Sequence, residues 1–427
     1  MRNIYLGDRG VLVQYLQLAL TRAGYPVELD GIFGTDTCKA LREFRREYAM
    51  HGETVGCYVD QSVWKQLIPY LKGYVTHVIA KGDTIWNIAG AYGTTQETVL
   101  RANPSIQVNA LQPGMRIYVP LAFPLVSEEV AYTSILLSFI MEGLRIRYPF
   151  LTIGSIGTSV MEKEIPYIRI GTGATEVFYN ASFHANEWIT TPLLLKFAEE
   201  YASAYAQNGI INGEIASSLY DTYSLYLVPM VNPDGVDLVN GVLGNARYEQ
   251  QAKIIAAQYP DIPYPDGWKA NIDGVDLNLQ FPAGWEQART IKFSQGYTTP
   301  APRDYVGEAP LTAIESINVY EFTRMHDFRL IIAYHTQGEV IYWKYMDYEP
   351  DKSRQIAQYF GNVSGYAVEE TPTESGYAGY KDWFIQEYDR PGYTIEAGLG
   401  VNPLSMEQFP QIYRDNYYIL VGGMTQI

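Results

Sequence analysis

The sequence predicts a multidomain chain: a small all-α module of three helices, a small α+β module of βααβ order, and a large α/β domain with a mixed, mainly parallel sheet flanked by helices. Three observations carry this. At 427 residues the chain is too long for one ordinary core. Two short segments near its start each complete a helix-and-turn pattern of their own. From residue 127 onward, β-rich runs alternate with long helical ones, as in strands joined by crossover helices. The expected boundaries are 1–72, 75–121 and 122–427.

The first helix is VLVQYLQLALTRAG, where Leu12, Leu16, Ala19, Leu20 and Ala23 share a face and Gly24 is a natural stop. The turn DGIFG leads through Thr35, an expected N-cap, into TDTCKALREFRREY, whose apolar stripe is Cys38, Leu41, Phe44 and Tyr48. DQSVWKQLIPYL closes the unit. The pattern G-x-x-G-x-x-V-x-x-L-Q, then G-Y, D-G-x-F-G and T-x-x-A-L-x-x-F, resembles the three-helix peptidoglycan-binding domain over nearly all of this segment.

Residues 76–120 read THVIAKGDTIWNIAGAYGTTQETVLRANPSIQVNALQPGMRIYVP. A strand leads to GDT, where Asp83 or Thr84 can cap the helix IWNIAGAY. A second helix, TQETVLRAN, follows, and the strand MRIYVP ends the unit. The GDT-I-x-x-IA run, the turn at Asn103–Pro104 and L-x-P-G-x-x-I-x-V-P resemble LysM, which implies binding to N-acetylglucosamine-containing glycans. Residues 121–126 form the expected linker.

In the large part, YIRIG, EVFYNA, LYLVPMV, LIIAYH and GYTIEAG read as strands, and residues 129–147, 190–208 and 311–328 as helices. Chemistry in such sheets collects at the carboxyl ends of strands. His184 follows EVFYNASF, His335 ends RLIIAY and Glu396 lies in GYTIEAG. Of the five histidines, His51 and His77 fall outside this part, and His326 lies in a helical stretch where a solvated role is expected. His184, Glu187 and His335 then make a His₂Glu set, one of the known catalytic zinc sets with a fourth position for water. Taken alone, the stretch FHANEW is equally a strand turning into a helix whose first turn carries Glu187, suited to the helix dipole.

The order H-x-x-E, VNPDGVD (231–237), WKANIDGVDLN (268–278), H-T-Q-G (335–338), DWF (382–384) and TIEAG (393–397) resembles the zinc carboxypeptidase family, related to carboxypeptidase A, over essentially all of residues 127–427. The resemblance implies one zinc ion on His184, Glu187 and His335. It makes Glu396 the general base, taking a proton from the attacking water and passing it to the leaving amine. An arginine beside a tryptophan acts as electrophile in the family, and the matching residue is Lys269, a point charge rather than a bidentate fork. A tyrosine ahead of the DW pair closes over substrate, which points to Tyr377 or Tyr380.

One departure changes the expected specificity. Typical members carry Asn-Arg within the segment VDLNLQFP to grip a terminal carboxylate, whereas here Asn278 is followed by Leu279. Members that join such a domain to LysM and wall-binding modules resemble bacillar γ-D-glutamyl-diamino acid endopeptidases. That implies hydrolysis of the γ-D-glutamyl–meso-diaminopimelate bond in peptidoglycan stem peptides, with glycan strands and muropeptides as partners and sporulation as a setting. Two alternatives are a metallocarboxypeptidase, with Arg247 or Lys381 holding the carboxylate, and a non-catalytic wall-binding protein.

Composition bounds the rest. Residues 1–70 carry 8 basic and 8 acidic side chains and residues 71–120 carry 4 and 2, so the whole acidic excess, 18 charges, lies on residues 121–427. This argues against nucleic acid or an anionic membrane as partner. MRNIYLGDRG lacks the apolar core of a signal peptide, so the expected location is cytoplasmic or spore-associated, with wall peptidoglycan as substrate. Cys38 and Cys57 match no zinc spacing, and two buried thiols are the expectation.

Overall fold

The computed structural model describes residues 1–47 and 56–427, so Tyr48 and His51 lie outside the described residues. It divides into two compact units, one formed by residues 1–131 and 135–151, the other by residues 132–134 and 152–427.

In the first unit, strand β1 (Ile4–Tyr5) pairs antiparallel with β2 (Tyr58–Val59), and helices span Val11–Arg22, Thr35–Glu47 and Gln61–Lys72. Ile4, Tyr15, Leu16, Leu20, Phe33, Leu41, Phe44, Trp64 and Leu67 are buried. The Asp60 side chain caps the third helix by accepting from Ser62 N and Val63 N, and Gly73, at φ 71°, ends it. Cys38 and Cys57 are joined by a disulfide with Cα atoms 5.2 Å apart, which corrects the expectation of two thiols. They are nineteen positions apart in sequence, and only the fold brings the pair within bridging range.

The βααβ module follows. Strands β3 (Tyr74–Val78) and β4 (Arg116–Pro120) pair antiparallel and enclose helices Ile85–Ala91 and Gln96–Ala102. Thr84 caps the first of these in a capping box with Asn87. Asp83 instead accepts from Ala80 N and pairs with His77 Nε2 at 2.9 Å. Helix Ser134–Arg147, expected to open the large domain, groups with this unit from Ile135 onward. Arg147 holds it by donating to the carbonyls of Gly73, Leu121 and Phe123.

The second unit is built on an eight-stranded sheet. Its strands in chain order are β5 (Thr152–Thr158), β6 (Glu164–Ile170) and β7 (Thr175–Ala181), then, after a short hairpin of β8 (Ile210–Ile211) and β9 (Glu214–Ile215), β10 (Tyr223–Val228), β11 (Phe328–His335), β12 (Val340–Tyr342), β13 (Ala367–Glu369) and β14 (Gly392–Glu396). The spatial order is β13-β12-β14-β11-β7-β10-β6-β5. The central four, β14, β11, β7 and β10, are parallel, while β6 joins β10, and β12 joins β14, antiparallel.

Alternation along β7 fixes the two faces. Phe178 packs with Phe322 and Tyr380 from helices Ile314–Arg324 and Tyr380–Tyr388. Its neighbour Tyr179 points the other way, and its hydroxyl donates to Leu420 O in helix Phe409–Thr425. From β7 the chain moves outward to β10, and it then returns to β11 on the other side of β7. That reversal opens a crevice at the carboxyl ends of β7 and β11, where ligands of open α/β sheets bind. His326, expected to be solvated, is corrected: it stacks on Phe328 at 4.9 Å and lies edge-on to Tyr226, at the opposite end of β11 from His335.

Candidate metal centre

The register brings the predicted residues to one sheet edge. β11 and β14 run parallel with His335 directly beside Glu396, and Tyr334 lies beside Ala181, the last residue of β7. Three residues beyond Ala181 is His184, whose backbone is extended. Residues Ala185–Glu187 form a 3₁₀ turn, and the long helix begins only at Thr190. Glu187 therefore does not sit in the first turn of that helix. The turn aims its carboxylate back toward the sheet edge.

The ligand atoms converge. His184 Nδ1 lies 3.0 Å from Glu187 Oε1, His335 Nδ1 lies 2.9 Å from Glu187 Oε2, and the two Nδ1 atoms are 3.2 Å apart. Among the described residues these three form a group of His and carboxylate ligands whose donor atoms lie within 4.8 Å of one another. Glu187 and His335 are buried and His184 is largely so, and Phe183 stacks on the His335 ring.

Neighbouring residues orient this set. Asp276 Oδ1 lies 3.1 Å from His184 Nε2, which commits that nitrogen to the proton and leaves Nδ1 as the ligand atom. Asp276 is itself fixed by Asn278 N and by Asp304 N. Asn402 donates toward Glu187 Oε1 at 3.5 Å and to Thr336 O at 3.0 Å. Sequence reasoning missed both Asp276 and Asn402. Asp276 could have been found two residues before Asn278 in the motif VDLN, but Asn402 carries no sequence signal.

Electrostatics follow the geometry. Burial lowers the His184 pKa, but Glu187 and Asp276 outweigh it and raise the group to about 9 in the metal-free chain. Burial pushes Glu187 up, yet His184 and Lys269 hold it well below the usual carboxylate range. Lys269 Nζ lies 2.7 Å from Glu187 Oε1, and despite burial that partner raises the pKa of the ammonium group, keeping it charged. Glu396 is partly buried, and burial raises its carboxyl above the ordinary value against the pull of His335. Its carboxylate has no hydrogen-bond partner among the described residues.

The remaining expected residues divide. Asn278 Oδ1 accepts from Tyr380 N, tying the motif to the start of helix Tyr380–Tyr388. Tyr380 is fully buried against Phe178 and Phe183 with its hydroxyl on Thr323 Oγ1, which corrects its assignment as a substrate contact. Tyr377 is partly buried beside an apolar cluster of Leu279, Trp285, Ala288, Val306 and Ala378. Leu279 thus replaces a cation with packing. Arg247 is exposed on helix Ala246–Ala256, and Lys381 is buried with its ammonium already engaged by Lys344 O, Thr371 Oγ1 and Asp382.

A family model described as zinc carboxypeptidase matches residues 138–418, and one described as LysM domain matches residues 77–120. The chain is 43% identical over 400 residues to γ-D-glutamyl-L-diamino acid endopeptidase 1 of Lysinibacillus sphaericus, covering 81% of this chain and 99% of that protein. It is 23% identical over 261 residues to bovine carboxypeptidase B, covering 57% of this chain and 56% of that protein. Among solved structures, thrombin-activatable fibrinolysis inhibitor superposes with a TM-score of 0.56 at 14% identity, covering 83% of this chain and 98% of that one. Carboxypeptidase A of Helicoverpa armigera gives 0.53 at 16% identity, covering 92% and 94%. These two share the fold.

Proposed function

This chain belongs to the zinc carboxypeptidase family, and from that premise we propose that it is a peptidoglycan hydrolase cleaving the γ-D-glutamyl–meso-diaminopimelate bond of stem peptides. The observation that carries the reading is the 43% identity spanning 99% of a relative named for a γ-D-glutamyl-L-diamino acid bond. Leu279 supports it, because a site without the carboxylate clamp is not built for ordinary exopeptidase work.

The donor set fits a zinc ion: two imidazole Nδ1 atoms and a carboxylate converge, with His184 oriented from behind by Asp276. His184, Glu187 and His335 would hold the ion, which supplies Lewis acidity for water and carbonyl. Glu396, beside His335 and outside the ligand set, takes the proton of the attacking water and delivers it to the leaving nitrogen. Lys269 offers a fixed positive charge to the carbonyl oxygen as negative charge develops there. Asn278 and Tyr377 border the substrate. The first seventy residues and the LysM module hold the enzyme on glycan strands. Of the cytoplasmic and spore-associated settings, the Cys38–Cys57 disulfide favours the second.

The test is mass spectrometry of products from defined tri- and tetrapeptide muropeptides, with and without a chelator. The wild type is expected to separate the γ-D-glutamyl and diaminopimelate halves, and chelator to stop it. Glu396→Gln should keep its zinc while turnover falls roughly 100- to 10,000-fold. Release of a single C-terminal residue instead would make the chain a carboxypeptidase, and an active Glu396→Gln would remove the assigned base.

A further inference from the structure

The loop at residues 302–304 is bonded to the metal centre at two points. Lys269 N and Ala270 N both donate to Pro302 O, at 2.7 and 2.9 Å. Asp304 N donates to Asp276 Oδ2 at 3.1 Å, and the other oxygen of Asp276 holds His184. Arg303 lies between these anchors, with Asp304 in the left-handed backbone region at φ 66°.

Two cations share the Asp304 carboxylate. Lys292 Nζ takes Oδ1 at 2.6 Å and Arg303 Nε takes Oδ2 at 2.6 Å. One positive charge is therefore left over. The Arg303 guanidinium is held by its Nε edge, and its two Nη groups have no hydrogen-bond partner among the described residues. The side chain is 42% exposed. Its charge interacts favourably with Asp276.

A γ-linked glutamyl residue differs from an ordinary acyl residue in its charge as well as in its longer link to the scissile carbonyl. Its α-carboxylate is free, a fixed anion a few bonds from the scissile carbonyl. A site for that substrate needs a second cation on the acyl side, beside the one that faces the carbonyl oxygen. We propose that Arg303 determines specificity by taking the free α-carboxylate of the γ-linked glutamyl residue through its two Nη groups. This rests on the function proposed above. A planar guanidinium fixed at Nε is pre-organised for a two-point grip on a carboxylate.

The experiment compares two muropeptides with the full-length zinc enzyme, one with D-glutamate and one with its α-amide, D-isoglutamine. Wild type should prefer the free acid. Arg303→Met should lower kcat/KM on the acid by about 10- to 100-fold and leave the amide nearly unchanged, so that the preference disappears. Arg303→Lys, which keeps the charge without the fork, should recover part of the loss. Equal loss on both substrates would mean that the arginine only holds the loop, and no loss on the acid would remove it from recognition. If the wild type cuts neither γ-D-glutamyl bond, the functional reading itself fails, and this assignment with it.

Discussion

Asp276 shows how much of a metal site is decided outside its ligands. His184 can present either ring nitrogen, and the carboxylate behind Nε2 determines that Nδ1 faces Glu187 and His335. Asp276→Ala is expected to weaken zinc affinity roughly 10- to 100-fold, measured by competition with a chromophoric chelator. Unchanged affinity would show that the turn alone orients the ring. The ligands were legible in the sequence because few histidines occur and two of them end β-rich runs. Tyr380 was misread for a physical reason: it opens a helix, and residue type does not say that the first turn faces the sheet. Its partners Phe178 and Phe183 lie about two hundred residues away in the chain.

Elements place these side chains through register. A shift of one residue between β11 and β14 would turn Glu396 to the other face and separate it from His335. The alternation of strands and helices was readable along the chain, but the spatial order was not, since β11 inserts between β14 and β7. Helix Ile314–Arg324 carries a further consequence. Glu315 in its first turn is fully buried, accepting from Val160 N and Asn271 Nδ2, and burial raises its carboxyl from 4.5 to about 7. The folded chain therefore holds this proton more tightly than the unfolded chain. Stability from this group is complete below pH 4.5 and is lost as pH rises to about 7, a difference of about 3 kcal/mol. Denaturation of wild type should show this decline across that interval, and Glu315→Gln should abolish this part of the slope. An unaltered slope in the variant would assign the decline to other groups.

At the scale of the whole molecule, the modules and the large unit divide the work. No helix among the described residues is long and apolar enough to cross a membrane. The LysM module exposes 72% of Trp86, a flat face suited to stacking on a sugar ring. Trp86→Ala should weaken retention on purified peptidoglycan roughly tenfold in a pelleting assay while leaving turnover of soluble muropeptides and thermal stability unchanged. Equal loss on soluble substrate would place Trp86 in the wrong role. A point variant is preferable to deleting residues 1–120, because helix Ser134–Arg147 is tied to that region through Arg147 on Gly73 O and Glu142 on Lys72 and would lose those contacts.

The sequence by itself determined the α/β character of the large unit and singled out His184, Glu187 and His335 as a set suited to a metal, because apolar periodicity and residue type are local properties of a chain. Tertiary structure alone decided the Cys38–Cys57 bridge, the burial of Tyr380, the apolar setting of Leu279, and the placing of Asp276 and Asn402 beside the metal ligands. These depend on which distant segments the sheet order brings together, and backbone pairing between strands far apart in the chain is not written in either strand.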